Sequence, residues 1–314
     1  MRVTDSAFTE NFTSEVQQLE QQQYNLQNEA SSGLSIESPS DNPAVMAQVL
    51  NLQTDSAANA SYQNNITQLQ STATTSATAM NSLQTIISQV NQIATESSSG
   101  TNSPTQIADY ATQVQSLIQE AVQLGNSQDA NGNYIFSGTA TNTEPFTATT
   151  DANGNITSVA YNGNSDVAES EIGPSTTVSA QVPGGNSTGT GPEGLFYDSR
   201  PGGSDVFNDM ISLQQTLASG DTSTIASTNI PALTKDEDNI VGQISSNAAM
   251  QSALNSASSI ATAQSTNITT QISGETSADL ATTLTELTQT QNAYTAALES
   301  GAKVMQISLV DFLT

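Results

Sequence analysis

The sequence predicts a mainly α-helical fold: an elongated helical bundle or coiled coil formed by the N- and C-terminal segments, with a small β-rich inserted domain. Three observations predict it. Apolar residues recur at alternating steps of three and four near both ends of the chain. Proline caps and glycine stops fall between these runs. From Gln128 to about Ser204 the helical period vanishes, and Gly, Pro, Thr and Asn become dense.

The first helix is expected from about Phe8 to Ala30. Its narrow seam reads Phe12, Val16, Leu19, Leu26 and Ala30, interrupted by Gln23 and ended by Gly33. In the turn Ser38-Pro39-Ser40-Asp41-Asn42-Pro43, Asp41 or Asn42 can cap the next helix, and Pro43 suits its first turn. That helix should run to about Thr95, with the seam Tyr62, Ile66, Leu69, Ala73, Ser76, Met80, Leu83, Ile87, Val90 and Ala94. Ser103-Pro-Thr-Gln106 then predicts a capping box and a third helix to about Ser127, antiparallel to the second.

Short strands are expected at Tyr134–Phe136, Ile156–Tyr161, Val167–Ile172 and Thr176–Val182, forming a small domain with its own core. Helix returns over Asp205–Ala218. A further run should start at a capping box, Thr234-Lys-Asp-Glu237, and break near Gly274. The last seam reads Leu280, Leu284, Leu287, Gln291, Tyr294, Leu298, Gly301, Met305 and Phe312, mirroring the first. The chain therefore divides into residues 1–40 with 275–314 as a terminal coiled-coil domain, 41–137 with 205–274 as a helical rod, and 138–204 as the β-rich insert.

Composition narrows the chemistry. The 314 residues include no Cys, His or Trp, which removes thiolate and imidazole nucleophiles, disulfides and Cys/His zinc sites. Four cations, Arg2, Arg200, Lys235 and Lys303, stand against thirty acids, a net charge of −26. Such a chain repels phosphate backbones and anionic lipid, so no nucleic-acid partner is expected. Its apolar stretches fall far short of the roughly 20 residues that a membrane helix requires, so no membrane insertion is expected. Residues 1–20 lack the basic start and apolar core of a cleavable signal peptide, so export would use another route.

Two acidic motifs invite a metal reading. Asp129-Ala-Asn-Gly-Asn133 recurs as Asp151-Ala-Asn-Gly-Asn155. A calcium loop needs Gly at its sixth position and an acid at its twelfth. Here Gly is fourth, and the twelfth positions are Ala140 and Asn162, so turns before strands are expected instead. The acid pairs Asp236–Glu237 and Glu169–Glu171 lack flanking cations or aromatics that would mark a catalytic pocket. No enzyme activity, cofactor or metal is expected. The terminal seams are the informative feature, because weakly apolar helices gain most of their stability from packing against neighbours.

Several motifs carry a resemblance. These are Gly33-Leu-Ser-Ile-Glu-Ser-Pro39-Ser-Asp41-Asn42-Pro43; Asn131-Gly132-Asn-Tyr134-Ile-Phe136-Ser-Gly138 with Thr143-Glu-Pro145-Phe146; Tyr161-Asn-Gly-Asn164; Gly203-Ser-Asp-Val-Phe207; and Asp279-Leu-Ala281 with Gln291 and Ala293-Tyr294. Together they resemble the bacterial flagellin family, and within it the hook-associated members found between hook and filament. Two departures concern charge: Leu34 stands where the family usually has a basic residue, and no Arg occurs near Met250–Leu254. The resemblance implies terminal helices in an inner tube, rods outside them and an outward-facing insert. It implies extracellular assembly in a ring, with the first hook-associated protein and flagellin as partners and type III export aided by a chaperone. Flagellin itself is one alternative. A surface glycan-binding or hydrolytic protein is another.

Overall fold

The computed structural model describes the backbone of residues 2–313 and the side chains of residues 9–303. The helices and strands follow the order α1 (Arg2–Ser32), α2 (Pro43–Ser97), α3 (Pro104–Gly125), β1 (Phe146–Thr150), β2 (Ile156–Tyr161), β3 (Ser170–Gly173), β4 (Thr176–Val178), β5 (Gly185–Asn186), β6 (Tyr197–Asp198), α4 (Val206–Ser219), a π-helical turn (Ile225–Asn229), α5 (Ile230–Thr276) and α6 (Leu280–Leu313). The chain is mainly helical, as the seams predict. It forms two compact units, Met1–Ala58 with Gln264–Thr314, and Asn59–Ala263, so α2 and α5 contribute to both.

In the terminal unit, α1 packs against α6. Two turns are stitched together at one end of this pair. Ser35 N donates to Thr276 O at 2.7 Å, and Ala278 N donates to Gly33 O at 2.9 Å. Gly33 leaves α1 with φ +73, a left-handed conformation that favours glycine. Asn42 Oδ1 accepts from Val45 N at 3.3 Å, capping α2, with Pro43 as its first residue. Asp41 instead binds its own turn, accepting from Ser38 N at 2.8 Å and Glu37 N at 3.1 Å. Those amides hold its carboxyl below the usual range, Ser38 contributing most.

In the second unit, the predicted seam of α2 is the buried one. Ile66, Leu69, Ala73, Ser76, Met80, Leu83, Ile87, Val90 and Ala94 are all buried, and Tyr62 is half-buried. The capping box at the start of α3 is present: Ser103 Oγ accepts from Gln106 N, and Gln106 Oε1 accepts from Ser103 N at 2.9 Å. From Met80 onward the α2 seam joins Val114, Ile118 and Ala121 of α3, Met210, Leu213 and Leu217 of α4, and Leu233 and Ile240 of α5 in one core, while Ile66, Leu69 and Ala73 pack with Ala180, Leu254 and Ala261 in a second.

Several local expectations are corrected. Tyr134–Phe136 is not a strand; Tyr134 makes only an isolated bridge to Gln128, and the chain turns at Gly138 with φ +67. Helix α5 is already under way at Ile230, so Thr234 is no cap; its hydroxyl bonds back to Ile230 O at 2.8 Å. Gly274 lies within α5, and the chain breaks only at residues 277–279, where Asp279 Oδ1 accepts from Ala281 N at 3.0 Å. The strands are three separate pairs: antiparallel β1–β2 and β3–β4, and parallel β5–β6.

The insert has no core of its own. Phe136, Phe146 and Phe196 join Phe207 of α4 and the half-buried Tyr161 in one cluster within the helical core. Phe196 stacks on Phe207 at 5.1 Å between ring centroids, and Phe146 meets Phe196 at 4.9 Å. Five rings gathered at one place let a chain with 4% aromatics anchor its insert. Charge is distributed unevenly: residues 56–95 of α2 and 239–274 of α5 contain no Asp, Glu, Lys or Arg.

Candidate assembly surface

The α1–α6 pair has different chemistry on its two sides. On α1 the residues turned inward are Phe12, Val16, Leu19, Gln23, Leu26 and Ala30, with Leu26 fully buried. These are the residues of the predicted seam, including its Gln. Their partners on α6 are Thr283, Leu287, Thr290, Tyr294, Ala297 and Gly301, again at steps of four and three. The helices run antiparallel: Thr283 Oγ1 donates to Glu29 Oε1 at 3.0 Å near one end, and Gly301 faces the Phe12 ring near the other. A Cβ on Gly301 would lie 2.2 Å from that ring, so only glycine allows this approach.

Among the described residues of the predicted α6 seam, Leu287, Tyr294 and Gly301 line the contact with α1. Leu280, Leu284 and Leu298 lie on a neighbouring stripe that faces outward, 48%, 52% and 42% exposed, and Gln291 is exposed with them. Met305 and Phe312 lie outside the described side chains. Sequence reasoning missed Thr283, Thr290 and Ala297. Low hydropathy hid them, while the leucines of the adjacent stripe suggested a stronger seam.

Among the described residues, six of the eight exposed large hydrophobic ones belong to the terminal unit: Tyr24, Leu34, Leu50, Leu280, Leu284 and Leu298. Beside the α1–α6 contact runs an open groove of about 530 Å³, lined by Phe12, Leu19, Ala293 and Ala297 among polar residues. A surface of this kind suits the docking of helices from other subunits.

The turn motif and the insert-boundary motif act as structure. Pro39 is exposed beside the Asp41 turn. Gly132 closes a tight turn with φ +82, and Asp129 Oδ1 accepts from Asn131 N at 2.8 Å and Asn133 N at 2.9 Å. Asp151 repeats this arrangement with Asn153 and Asn155. In both repeats the carboxylate is bound by its own loop. Gly138 packs where a Cβ would meet Asn164 O at 2.2 Å, and Pro145 O accepts from Asn162 N at 2.8 Å. Tyr134 is half-buried, whereas Phe136, Pro145 and Phe146 are buried. The Tyr161 hydroxyl points at Phe136 O and Asn164 O, and burial pushes its pKa up to about 12.

One cleft of about 420 Å³ lies between α5 and the loop before α4, lined by Glu193, Asp198, Arg200 and Lys235. Its cations are occupied. Arg200 is paired with Asp198 and Glu193, and Lys235 Nζ donates to Gly203 O. Among the described residues, no group of three or more acids is placed to hold a metal ion, and no helix is long and apolar enough to cross a membrane.

Comparison with known proteins gives this geometry a context. No curated protein sequence matches the chain. The fold is similar to that of a Vibrio parahaemolyticus protein provisionally described as a flagellar hook-associated protein, with 20% identity, a TM-score of 0.63, and 76% of this chain and 100% of that one covered. It is similar to FlgL of Xanthomonas campestris, at 18% identity and TM-score 0.56, covering 69% of this chain and 98% of that one. It is similar to FlgL of Bacillus cereus, at 14% identity and TM-score 0.56, covering 71% of this chain and 99% of that one. The model of the bacterial flagellin N-terminal helical region matches residues 4–141, which span α1, the Gly33–Pro43 turn, α2, α3 and the Gly132–Gly138 turns. Residues 4–141 thus match the bacterial flagellin N-terminal helical region, and the chain takes a fold similar to that of solved flagellar hook-associated proteins.

Proposed function

We propose that this protein is a structural subunit of the bacterial flagellum that joins hook to filament and has no enzymatic activity. The observation that carries this reading is the outward leucine stripe of α6. Leu280, Leu284 and Leu298 stay exposed in the subunit although α6 already has a partner in α1. A helix pair with one closely packed inner contact and one exposed leucine stripe is suited to packing against further helices in a tube. The flagellin region at residues 4–141 and the hook-associated fold support the same assignment.

In this reading, residues 1–40 with 275–314 form the inner tube, 41–137 with 205–274 the surrounding rod, and 138–204 the insert. The subunits associate in a ring, with the first hook-associated protein on one side and flagellin on the other. The protein is exported through the flagellar type III route with a chaperone and works outside the cell. Deleting the gene should abolish filaments while flagellin leaks into the medium. Complementation with Leu284→Glu should fail to restore filaments although the purified variant keeps the parent's melting temperature. Thr285→Glu, an exposed neighbour, should complement. Purified subunits that polymerise unaided into long filaments would instead identify a flagellin.

A further inference from the structure

Asp236 lies on α5, one turn and a half from its start, and is 0% exposed. Neither carboxyl oxygen meets a hydrogen-bond donor in bonding geometry among the described residues. An ionised carboxylate in that position would be costly, because nothing replaces its lost hydration. What faces it is a second carboxyl, the half-buried Asp209 of α4, whose charge disfavours ionisation of Asp236; the Asp205 N–H is the group nearby that favours it. A carboxyl–carboxyl hydrogen bond requires one proton. Asp205, the N-cap of α4, adds a third acid nearby, its own carboxyl occupied by Asn208 N at 3.2 Å and Asn208 Nδ2 at 2.9 Å.

The other charged groups around this point are engaged elsewhere. Lys235 donates to Gly203 O and only partly offsets the charge at Asp209. Glu237 turns to α2, where its carboxylate accepts from Ser88 Oγ and Asn91 Nδ2, both at 2.9 Å. The location matters structurally. Here the chain returns from the insert into α4, held by Val206 N to Phe196 O at 2.9 Å and by Asn239 Nδ2 to Ser204 Oγ at 2.7 Å.

We propose that Asp236 and Asp209 form a proton-operated latch: one shared proton ties the start of α5 to the start of α4, and its loss loosens the return from the insert. Burial, then the Asp209 carboxyl, raise the Asp236 pKa from 3.8 to about 8, and burial raises that of Asp209. The folded state therefore holds a proton that the unfolded chain releases above about pH 4. The latch contributes its full stability below that pH and loses it as pH rises toward 8.

The test compares the full chain with Asp236→Asn, which keeps a donor for Asp209 without a titrating group. The ratio of the unfolding constants of the two proteins should change by about tenfold per pH unit between pH 5 and 7.5, in the direction that favours the variant as pH rises. Hydrogen exchange over residues 194–212, corrected for intrinsic rate, should accelerate above pH 8 in the parent and not in the variant. Carboxyl carbon NMR of the parent should place the Asp236 titration near neutrality or above. A pH-independent stability ratio, or Asp236 titrating with the ordinary carboxylates, would overturn the latch. So would calcium restoring the parent's protection at high pH, since the cluster would then be a cation site.

Discussion

At the residue scale, Phe146 shows how a polar, aromatic-poor sequence can still build a hard core. It is the first residue of β1, yet its ring sits in the helical core among Phe196, Phe207 and Tyr161. Two glycines make room for it. A Cβ on Gly125 would come within 2.6 Å of the ring, and one on Gly184 within 2.9 Å. Phe146→Ala should therefore cost roughly 3–5 kcal/mol, at the upper end for a core truncation. Chemical unfolding should show a lower midpoint with an unchanged slope. The ring's importance was partly legible in the sequence, because the Pro145-Phe146 pair stood in a recognisable motif. Its contact with α4 was not, because nothing in the local pattern links residue 146 to residue 207.

At the element scale, α1 and α6 separate what periodicity can and cannot reveal. The α1 seam was legible down to Gln23, since Phe, Val and Leu mark one line on an otherwise polar helix. Helix α6 offers two lines side by side, one rich in Leu and one in Thr, Ala and Gly. Hydropathy ranks the Leu line first, whereas the contact with α1 uses the other, because small side chains permit the closer approach. Leu287 and Tyr294 serve both. Gly301→Leu should force the Phe12 ring out and separate the helices there. Hydrogen exchange should then rise in α1 and α6 while α3 and α4 keep their protection. The π-helical turn at Ile225–Asn229 and the start of α5 were illegible for a similar reason: tertiary packing of Ile225 and Leu233 outweighed the Thr234 capping signal.

At the scale of the whole molecule, the terminal leucines and the charge must be considered together. Copies of a chain with net charge −26 repel one another, and that repulsion opposes every contact the α6 stripe can make. Association of the purified subunit should therefore strengthen as sodium chloride is raised, which sedimentation velocity can measure, and Leu284→Glu should abolish the gain. The charge-free stretches of α2 and α5, residues 56–95 and 239–274, add a further consequence. These stretches carry no charge of their own, although the Glu237 carboxylate reaches Ser88 and Asn91 of α2, so ions in the medium have less to screen along them than elsewhere, the Debye length being about 10 Å at 0.1 M salt. A bacterium moving from fresh to brackish water would change how strongly its subunits attract one another, while disturbing these stretches of each subunit less than its charged remainder.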